Sequence, residues 1–428
     1  MNGNDDSDFG QQDPFLWHAG LAFAFLLACL VRLTIPSTPY FDEVHYLPAA
    51  RAMLALEIPI NKEHPLLGKE FMALGIALFG DRPFGWRIFS VLAGVLALFA
   101  FMRAMWWASL SRYASIAGGL LLATGFALLV HAQIAMLDIY MVAFMLLALW
   151  LIAAALRQPA RARWLLAGAG TAMGIAMAGK WNAVPVAMVP GIAFLLIRAH
   201  QSGARLLTDK STGPVTGMTL IEAGLWLGAM PLLVYALTYV PAMFYENDPL
   251  TPFGLLQYHR EMLAMQESVK EPHPYMSTWP AWATNTRAIW YLYEPIDGAQ
   301  RGVLLVGNPA TMLLGLPAMV WCAWVGFARQ NRAALAVFAL YAVSLGMWIF
   351  ANKPVQFYYH YFLPSCFLLA GLALALNAMR ERWGKWIPGG VLALSVLMFV
   401  NFWPILTAAP LTNGTQSFLE WTWIDGWK

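Results

Sequence analysis

Charge is scarce in this sequence. Of its 428 residues only 11% are Asp, Glu, Lys or Arg, where a soluble globular chain carries about 25%. Hydrophobic types make up 60%, and the mean hydropathy is +0.58. So few charges cannot cover the surface of a water-soluble fold of this length. Cysteine is nearly absent: Cys29, Cys322 and Cys366 lie inside apolar runs, without CxxC spacing. That excludes a disulfide framework and a thiolate metal site. No GxGxxG or GxxxxGK[ST] pattern occurs, so no loop is set up to cradle ATP or a dinucleotide. A net charge of +3 is too small to imply a nucleic-acid partner.

Long apolar runs take the place of charge. Segments of bilayer-spanning length, about 20 residues, are expected near 16–33, 88–106, 113–130, 139–156, 164–178, 183–197, 218–240, 303–325, 333–350, 357–376 and 387–403. The fold class is therefore all-α and polytopic, with about eleven transmembrane helices. Residues 1–15 read as a polar, acidic tail without the positive region of a signal peptide. A membrane domain over 16–407 and a tail over 408–428 follow. The small-residue stretch 168–174 suits helix packing within or between chains, which leaves the oligomeric state open.

Eleven spans alternate sides, which makes the basic residues informative. Arg103, Arg112, Arg157, Arg161, Arg163, Arg198, Arg205, Lys210, Arg329, Arg332, Arg380, Arg382 and Lys385 fall on one side, with Asp209 and Glu381. By the positive-inside rule that side is cytoplasmic. The N-terminus is then cytoplasmic, and the polar segments 36–86 and 241–301 face outward, as does the C-terminal tail. An enzyme working on that side has no nucleotides at hand. Its activated substrate must come from the membrane, as a polyprenyl-phosphate-linked sugar would.

The outward segments hold the chemistry. Asp42 and Glu43 follow the first span, with His45, Lys62, His64, Lys69 and Arg87 nearby. The apolar residues of 50–60 and 71–79 suit short interfacial helices. Three readings fit the acidic pair: a helix cap, a general base, or part of a metal site. The spacing matches no compact metal motif, so no metal or cofactor is expected. A base would take the proton of an acceptor hydroxyl as its oxygen attacks a sugar carbon. A phosphate leaving group needs positive charge rather than a proton, and Arg87, Lys180 and Lys353 can supply it. Each of these cations also has a plainer reading as an interface anchor. Asp138 lies at the same level and is expected to pair with Lys180 or Arg87, or to orient a hydroxyl. His131 is seven residues earlier and would share its face if that stretch is helical. The Trp- and Tyr-rich segment 241–301 suits an interface belt or a surface stacking on sugar or lipid. Asn413–Thr415 reads NGT, an N-glycosylation acceptor pattern.

These residues resemble a known family. FDEVHY at 41–46, HPLLGK at 64–69, WRIFSVLAG at 86–94, HAQIAMLDIYMVAF, AGKWNAV, STWP, GNPA and YYHYFLP are similar, in order, to segments of the protein O-mannosyltransferases. The resemblance covers about 36–370, with Leu66 in place of a usual proline. It implies the GT-C glycosyltransferase fold. It also implies inverting transfer of mannose from a polyprenyl-phosphate donor to Ser or Thr hydroxyls, without a metal. Asp42 would correspond to the catalytic acid and Glu43 to a neighbour that places the acceptor. Arg87, Lys180 and Lys353 would meet the donor phosphate. His45, His64, Lys69, Asp138, Tyr358 and His360 would bind sugar or acceptor. Segment 241–301 is too short for the MIR domain of eukaryotic members, as in bacterial members, which implies the bacterial inner membrane. Two alternatives stay open: transfer to a lipid or envelope glycan, and a lipid-linked-sugar transporter. No internal repeat of the transporter kind is visible in the sequence.

Overall fold

The computed structural model of the chain describes residues 13–202, 205–268, 270–351, 353–412 and 414–428. The acidic tail up to residue 12 and Asn413 of the NGT pattern lie outside the described residues. The helices in chain order are α1 (Phe15–Leu30), α2 (Glu43–Ala55), α3 (Leu67–Phe79), α4 (Pro83–Ser109), α5 (Arg112–Ala123) and α6 (Ala127–Ala132). Next come α7 (Asp138–Ala155), α8 (Ala162–Gly179), α9 (Val184–Ser202), α10 (Leu220–Gly224) and α11 (Met230–Leu237). A π-helical turn, Leu225–Ala229, joins the last two. Then follow α12 (Leu255–Ser268), α13 (Trp279–Ala283), strands β1 (Ile289–Ile296) and β2 (Ala299–Leu305), α14 (Pro309–Ala328), α15 (Arg332–Phe350), α16 (Phe362–Trp383) and α17 (Trp386–Leu406).

Helix ends follow local chemistry. Ser111 and Asn331 cap α5 and α15 by accepting the amides of Ala114 and Ala334 at 3.1 and 3.0 Å. Pro83 and Pro309 occupy first-turn positions that need no donor. Among the described residues, eight helical segments are long and apolar enough to cross a bilayer. They are Pro83–Ser109, Asp138–Ala155, Trp181–Gln201, Leu220–Phe244, Pro309–Ala328, Arg332–Phe350, Tyr358–Trp383 and Trp386–Leu406.

Eight is fewer than the eleven read from hydropathy: α1, the α5–α6 pair and α8 are not among them. α1 is apolar but only 16 residues long. The expected span 113–130 is broken between α5 and α6, where Thr124 bonds back to Leu120 O and Phe126 takes φ +73°. The expected start of a span at 303 is β2 instead. The hairpin turn is Asp297–Gly298, both with positive φ, the type I′ geometry that an Asp-Gly pair favours. That dipeptide was the sequence signal for a hairpin inside a chain otherwise read as all-α.

Packing is layered. The segment ending in α16 is 78% buried and forms the centre, whereas Leu220–Phe244 is 17% buried and presents an apolar outer surface. α4 packs on α7, and α7 on α8. Residues 168–174 of α8 pack within the chain, close against Trp226, Met230 and Val234. Asn308 is a polar bolt at the core: its Nδ2 donates to Thr124 O at 2.9 Å and Ser395 O at 3.0 Å, while Oδ1 accepts from Ala310 N. Segment 36–86 lies on the bundle and holds the short helices α2 and α3. Segment 241–268 docks on it through Glu246 N to Leu56 O (2.7 Å) and Gln266 Nε2 to Glu63 O (2.7 Å).

Replacing Asn308 with Leu removes both of these hydrogen bonds and leaves Thr124 O, at a helix end, without its donor, a cost of about 1–3 kcal/mol. Thermal unfolding in detergent should show a clear drop in Tm. An unchanged Tm would mean the bolt is dispensable.

Candidate active site

Two neighbouring acids are handled in opposite ways. Glu43 is fully buried, and Arg87 grips its carboxylate with Nε and Nη2, both at 2.8 Å. Ala135 N at 2.9 Å and Tyr40 N at 3.3 Å donate to the same carboxylate. Arg87 spends its other donors on Leu33 O (3.0 Å), Pro36 O (2.8 Å) and Thr38 O (3.4 Å). All five guanidinium N–H groups are therefore engaged, and the side chain has no exposure. The geometry leaves neither residue a free group for a substrate. It makes them the tie between the first loop, α4 and the approach to α7.

Asp42 sits at the N-cap position of α2, yet its side chain makes no capping bond. Its carboxylate accepts from Tyr46 Oη, one turn on, at 3.3 Å. It remains partly accessible. Burial pushes its pKa up from the ordinary aspartate value, and the Asp138 charge adds to this; Lys180, His45 and the Tyr46 hydrogen bond pull it back. An acid that is partly accessible, under-coordinated and raised in pKa is suited to exchanging a proton.

Asp138 and Lys180 form the second buried pair, with Nζ 2.9 and 2.8 Å from the two carboxylate oxygens. Their meeting depends on how closely α7 and α8 cross. A Cβ on Gly179 would lie 2.9 Å from Met141 N, so the crossing needs glycine there. Lys180 Nζ also lies 4.6 Å from the centre of the Tyr359 ring. Lys353 stands apart. It forms no ion pair among the described residues, and burial, followed by repulsion from Lys180, lowers its pKa to about 8.

Of the remaining expected residues, His45 is exposed on α2. The His64 ring meets Tyr46 edge-on at 5.9 Å; burial, with Lys180 next, keeps it neutral. Three others turn away. Lys69 donates to Asn61 O (2.6 Å) and His64 O (3.0 Å) with no exposure, so it clamps the 61–64 turn instead of meeting a sugar. Tyr358 donates to Asn285 Oδ1 at 2.8 Å inside the core. His360 accepts from Phe357 N at 3.0 Å, and its ring lies tilted against Trp348, with the ring centres 4.0 Å apart. The tyrosine facing the charged group is Tyr359, between these two. In the 3-10 turn Tyr358–Tyr361 neighbours diverge, so the motif YYHY identified the place but not the face. His131 does not continue a helix to Asp138, because α6 stops at Ala132 and α7 starts at Asp138.

The hairpin supplies a wall that the sequence reading missed. The β1–β2 register slips between Trp290 and Leu292, which leaves Tyr291 as a bulge residue. A bulge re-aims a side chain. Tyr291 stacks on Phe41 at 4.0 Å, and its hydroxyl lies 3.3 Å from His131 Nε2. Asp297, in the hairpin turn, accepts from Ser37 N (2.8 Å) and Oγ (2.5 Å), which ties this wall to the first loop. Among the described residues no group of His, Cys, Asp and Glu is set to hold a metal ion.

The two acids should separate in stability. Glu43→Gln breaks a buried pair, a loss of about 3–5 kcal/mol, and should lower Tm strongly. For Asp42 the folded pKa lies above the unfolded one. Its contribution is full below the unfolded pKa and is lost as pH rises through the folded value. Asp42→Asn should therefore leave Tm unchanged or raised at neutral pH, with the gain fading in acid. A large Tm loss at neutral pH in Asp42→Asn would refute this division of roles.

The comparisons agree with one another. The family profile for dolichyl-phosphate-mannose-protein mannosyltransferase matches residues 63–221. That for the C-terminal four-transmembrane region of protein O-mannosyltransferase matches 253–427. A polyprenol-phosphate-mannose–protein mannosyltransferase of Mycobacterium tuberculosis is 27% identical, over 99% of this chain and 94% of its own length. Its namesake in Corynebacterium glutamicum is 26% identical, over 96% and 93%. Among solved structures, the S. cerevisiae protein O-mannosyltransferase Pmt1–Pmt2 complex superposes with a TM-score of 0.82 at 14% identity, covering 96% of this chain and 92% of that one. ArnT from Cupriavidus metallidurans gives 0.62 at 15% identity, covering 92% and 77%. The chain shares their polytopic GT-C-like fold, and with two family profiles matched over most of its length it belongs to the protein O-mannosyltransferase family.

Proposed function

We propose that this protein transfers mannose, or a closely related sugar, from a polyprenyl-phosphate donor to Ser or Thr hydroxyls of polypeptides, with inversion at the sugar carbon. The observation that carries this is the state of Asp42: accessible, outside any salt bridge and beside Lys180, Asp138 and Tyr359. The acceptor oxygen forms a bond to the sugar C1 as the C1–O bond to phosphate breaks. The hydroxyl proton passes to Asp42, and polyprenyl phosphate leaves. Lys353 is the cation with a charge to give to that phosphate, supported by Lys180 from its pair with Asp138. Glu43 and Arg87 act as positioning residues that hold the loop bearing Asp42. The relatives named as polyprenol-phosphate-mannose–protein mannosyltransferases support mannose and a protein acceptor.

The same reading includes eleven crossings, with α1, the α5–α6 pair and α8 completing the eight long spans. The N-terminal tail up to residue 15 and the basic helix ends face the cytoplasm. The site and the tail from 408 face outward from a bacterial plasma membrane, and residues 16–407 form the membrane domain. The short loops of the cytoplasmic face carry 13 of the 26 Arg and Lys residues, with Asp209 and Glu381 the only acids among them, and this supports the orientation.

The direct test supplies labelled mannosyl-phosphoryl-polyprenol and a Ser/Thr-rich peptide to protein in lipid. Label should appear on the peptide and fall by about 10²–10⁴-fold in Asp42→Asn, the usual worth of a general base. Label appearing only on lipid or glycan would replace the protein acceptor. The dependence of kcat/KM on pH should be bell-shaped. Activity falls on the acid side as Asp42 gains its proton, above the usual aspartate range. It falls on the alkaline side near pH 8 as Lys353 loses its charge. Lys353→Gln should raise the donor KM about 10–100-fold, the worth of one charged hydrogen bond. An unaltered alkaline limb in Lys353→Arg would remove Lys353 from this role.

A further inference from the structure

The face opposite Asp42 carries a second feature that sugar transfer does not use. α4 is 27 residues long, so its far end lies about 40 Å from its start. There the end of α4, the start of α5, the end of α7 and the α14–α15 junction close with α16 around a cavity of about 470 Å³. That volume lies in the range of roughly 300–1,000 Å³ typical of small-molecule sites.

Its lining is unbalanced. Arg157, Arg329 and Arg332 line it together with one carboxylate, Glu381. Glu381 accepts from Asn377 Nδ2 at 2.8 Å, and among the described residues none of the three arginines forms an ion pair. Arg157 reaches two backbone carbonyls, of Trp107 and Ala108, each at the long distance of 3.4 Å. Arg329 lies over the Trp324 ring at 4.6 Å. Elsewhere on this face Arg103 and Arg163 are matched by Asp13 and Glu222. The positive ends of α5 and α15 also meet at the cavity, through their caps Ser111 and Asn331. Exposed apolar side chains, Leu156, Trp324 and Phe327, lie beside the arginines.

We infer that this cavity binds the phosphate-bearing headgroup of an anionic membrane phospholipid, a site separate from the donor site. Three arginines and two helix N-termini match the phosphate, and the cavity is wide enough for the alcohol it esterifies. Leu156, Trp324 and Phe327 offer the acyl chains an apolar surface beside it, which a free anion would not need. Basic recesses between spanning helices are suited to such headgroups.

The test uses the full chain in vesicles of phosphatidylcholine with or without phosphatidylglycerol, with bound lipid counted by native mass spectrometry. Phosphatidylglycerol should be retained and should raise Tm. The triple variant R157Q/R329Q/R332Q should bind it about a hundredfold more weakly, at the usual worth of an arginine near a charged headgroup. R161Q/R205Q/R382Q, the same charge loss elsewhere on this face, should bind as the parent does. Should the triple variant unfold, Ala378→Glu sets a carboxylate in the lining with every arginine kept, and should also expel the lipid. Equal loss in both triple variants would reduce the effect to general surface charge and overturn the site. So would displacement of the lipid by millimolar inorganic phosphate, or retention of polyprenyl phosphate there in place of phosphatidylglycerol.

Discussion

The buried pair of Glu43 and Arg87 is the constraint on which the candidate site depends. Two ions without solvent would be costly if any bond were missing. Here none is: the carboxylate takes four donors and the guanidinium reaches four acceptor groups with all five N–H bonds. The acceptors belong to the end of α1, the first loop and the start of α2, and Ala135 stands before α7. One ion pair thus fixes the parts of the chain that carry Asp42 and Asp138. Because successive residues at a helix start point in different directions, satisfying Glu43 leaves Asp42 turned the other way.

What Asp42 meets there sets its chemistry. Burial disfavours its charge, while Lys180 and His45 restore part of it. Lys353 is in the mirror situation: burial and Lys180 weaken its hold on a proton, and Asp138 and Asp42 strengthen it. An acid and a base that are each incompletely stabilised gain most from a ligand carrying the complementary groups. A hydroxyl at Asp42 and a phosphate at Lys353 would be such a ligand. Tyr46, Tyr359 and Tyr291 surround the charges with aromatic surface, and the hairpin bulge explains why Tyr291 arrives there at all.

Much of this was legible in the sequence. Hydropathy located the eight long spanning segments, and the density of charge in 36–86 pointed to the loop that carries Asp42 and Glu43. The Asp138–Lys180 pair is one of the three options that the sequence offers for Asp138. The direction in which the other side chains point is not legible there, because a motif carries no direction. Lys69 and Arg87 were read as substrate cations, yet backbone carbonyls consume Lys69, and carbonyls with Glu43 consume Arg87. Tyr358 and His360 were read as site residues, yet the facing side chain is Tyr359. Both the base and the cap reading of Asp42 fitted its position; the cap is excluded by the absence of a capping bond. Eight long spans, rather than eleven, leave out α1, which is 16 residues long, the α5–α6 pair, which is broken by a turn at 124–126, and α8.

By itself the sequence determined the solvent, the class of fold and the loop in which the charged residues gather. Those follow from composition and from runs of about 20 apolar residues, which are properties of the chain in order. Tertiary structure alone decided which charge is spent and which is free. Glu43 and Asp42 are adjacent and chemically alike, and Arg87 is 44 residues from Glu43. Only when helices bring Leu33, Pro36, Glu43 and Ala135 around one another do the hydrogen bonds select the acid to be sealed. The choice rests on the need to satisfy every buried polar group, a sum over distant partners that no local pattern contains.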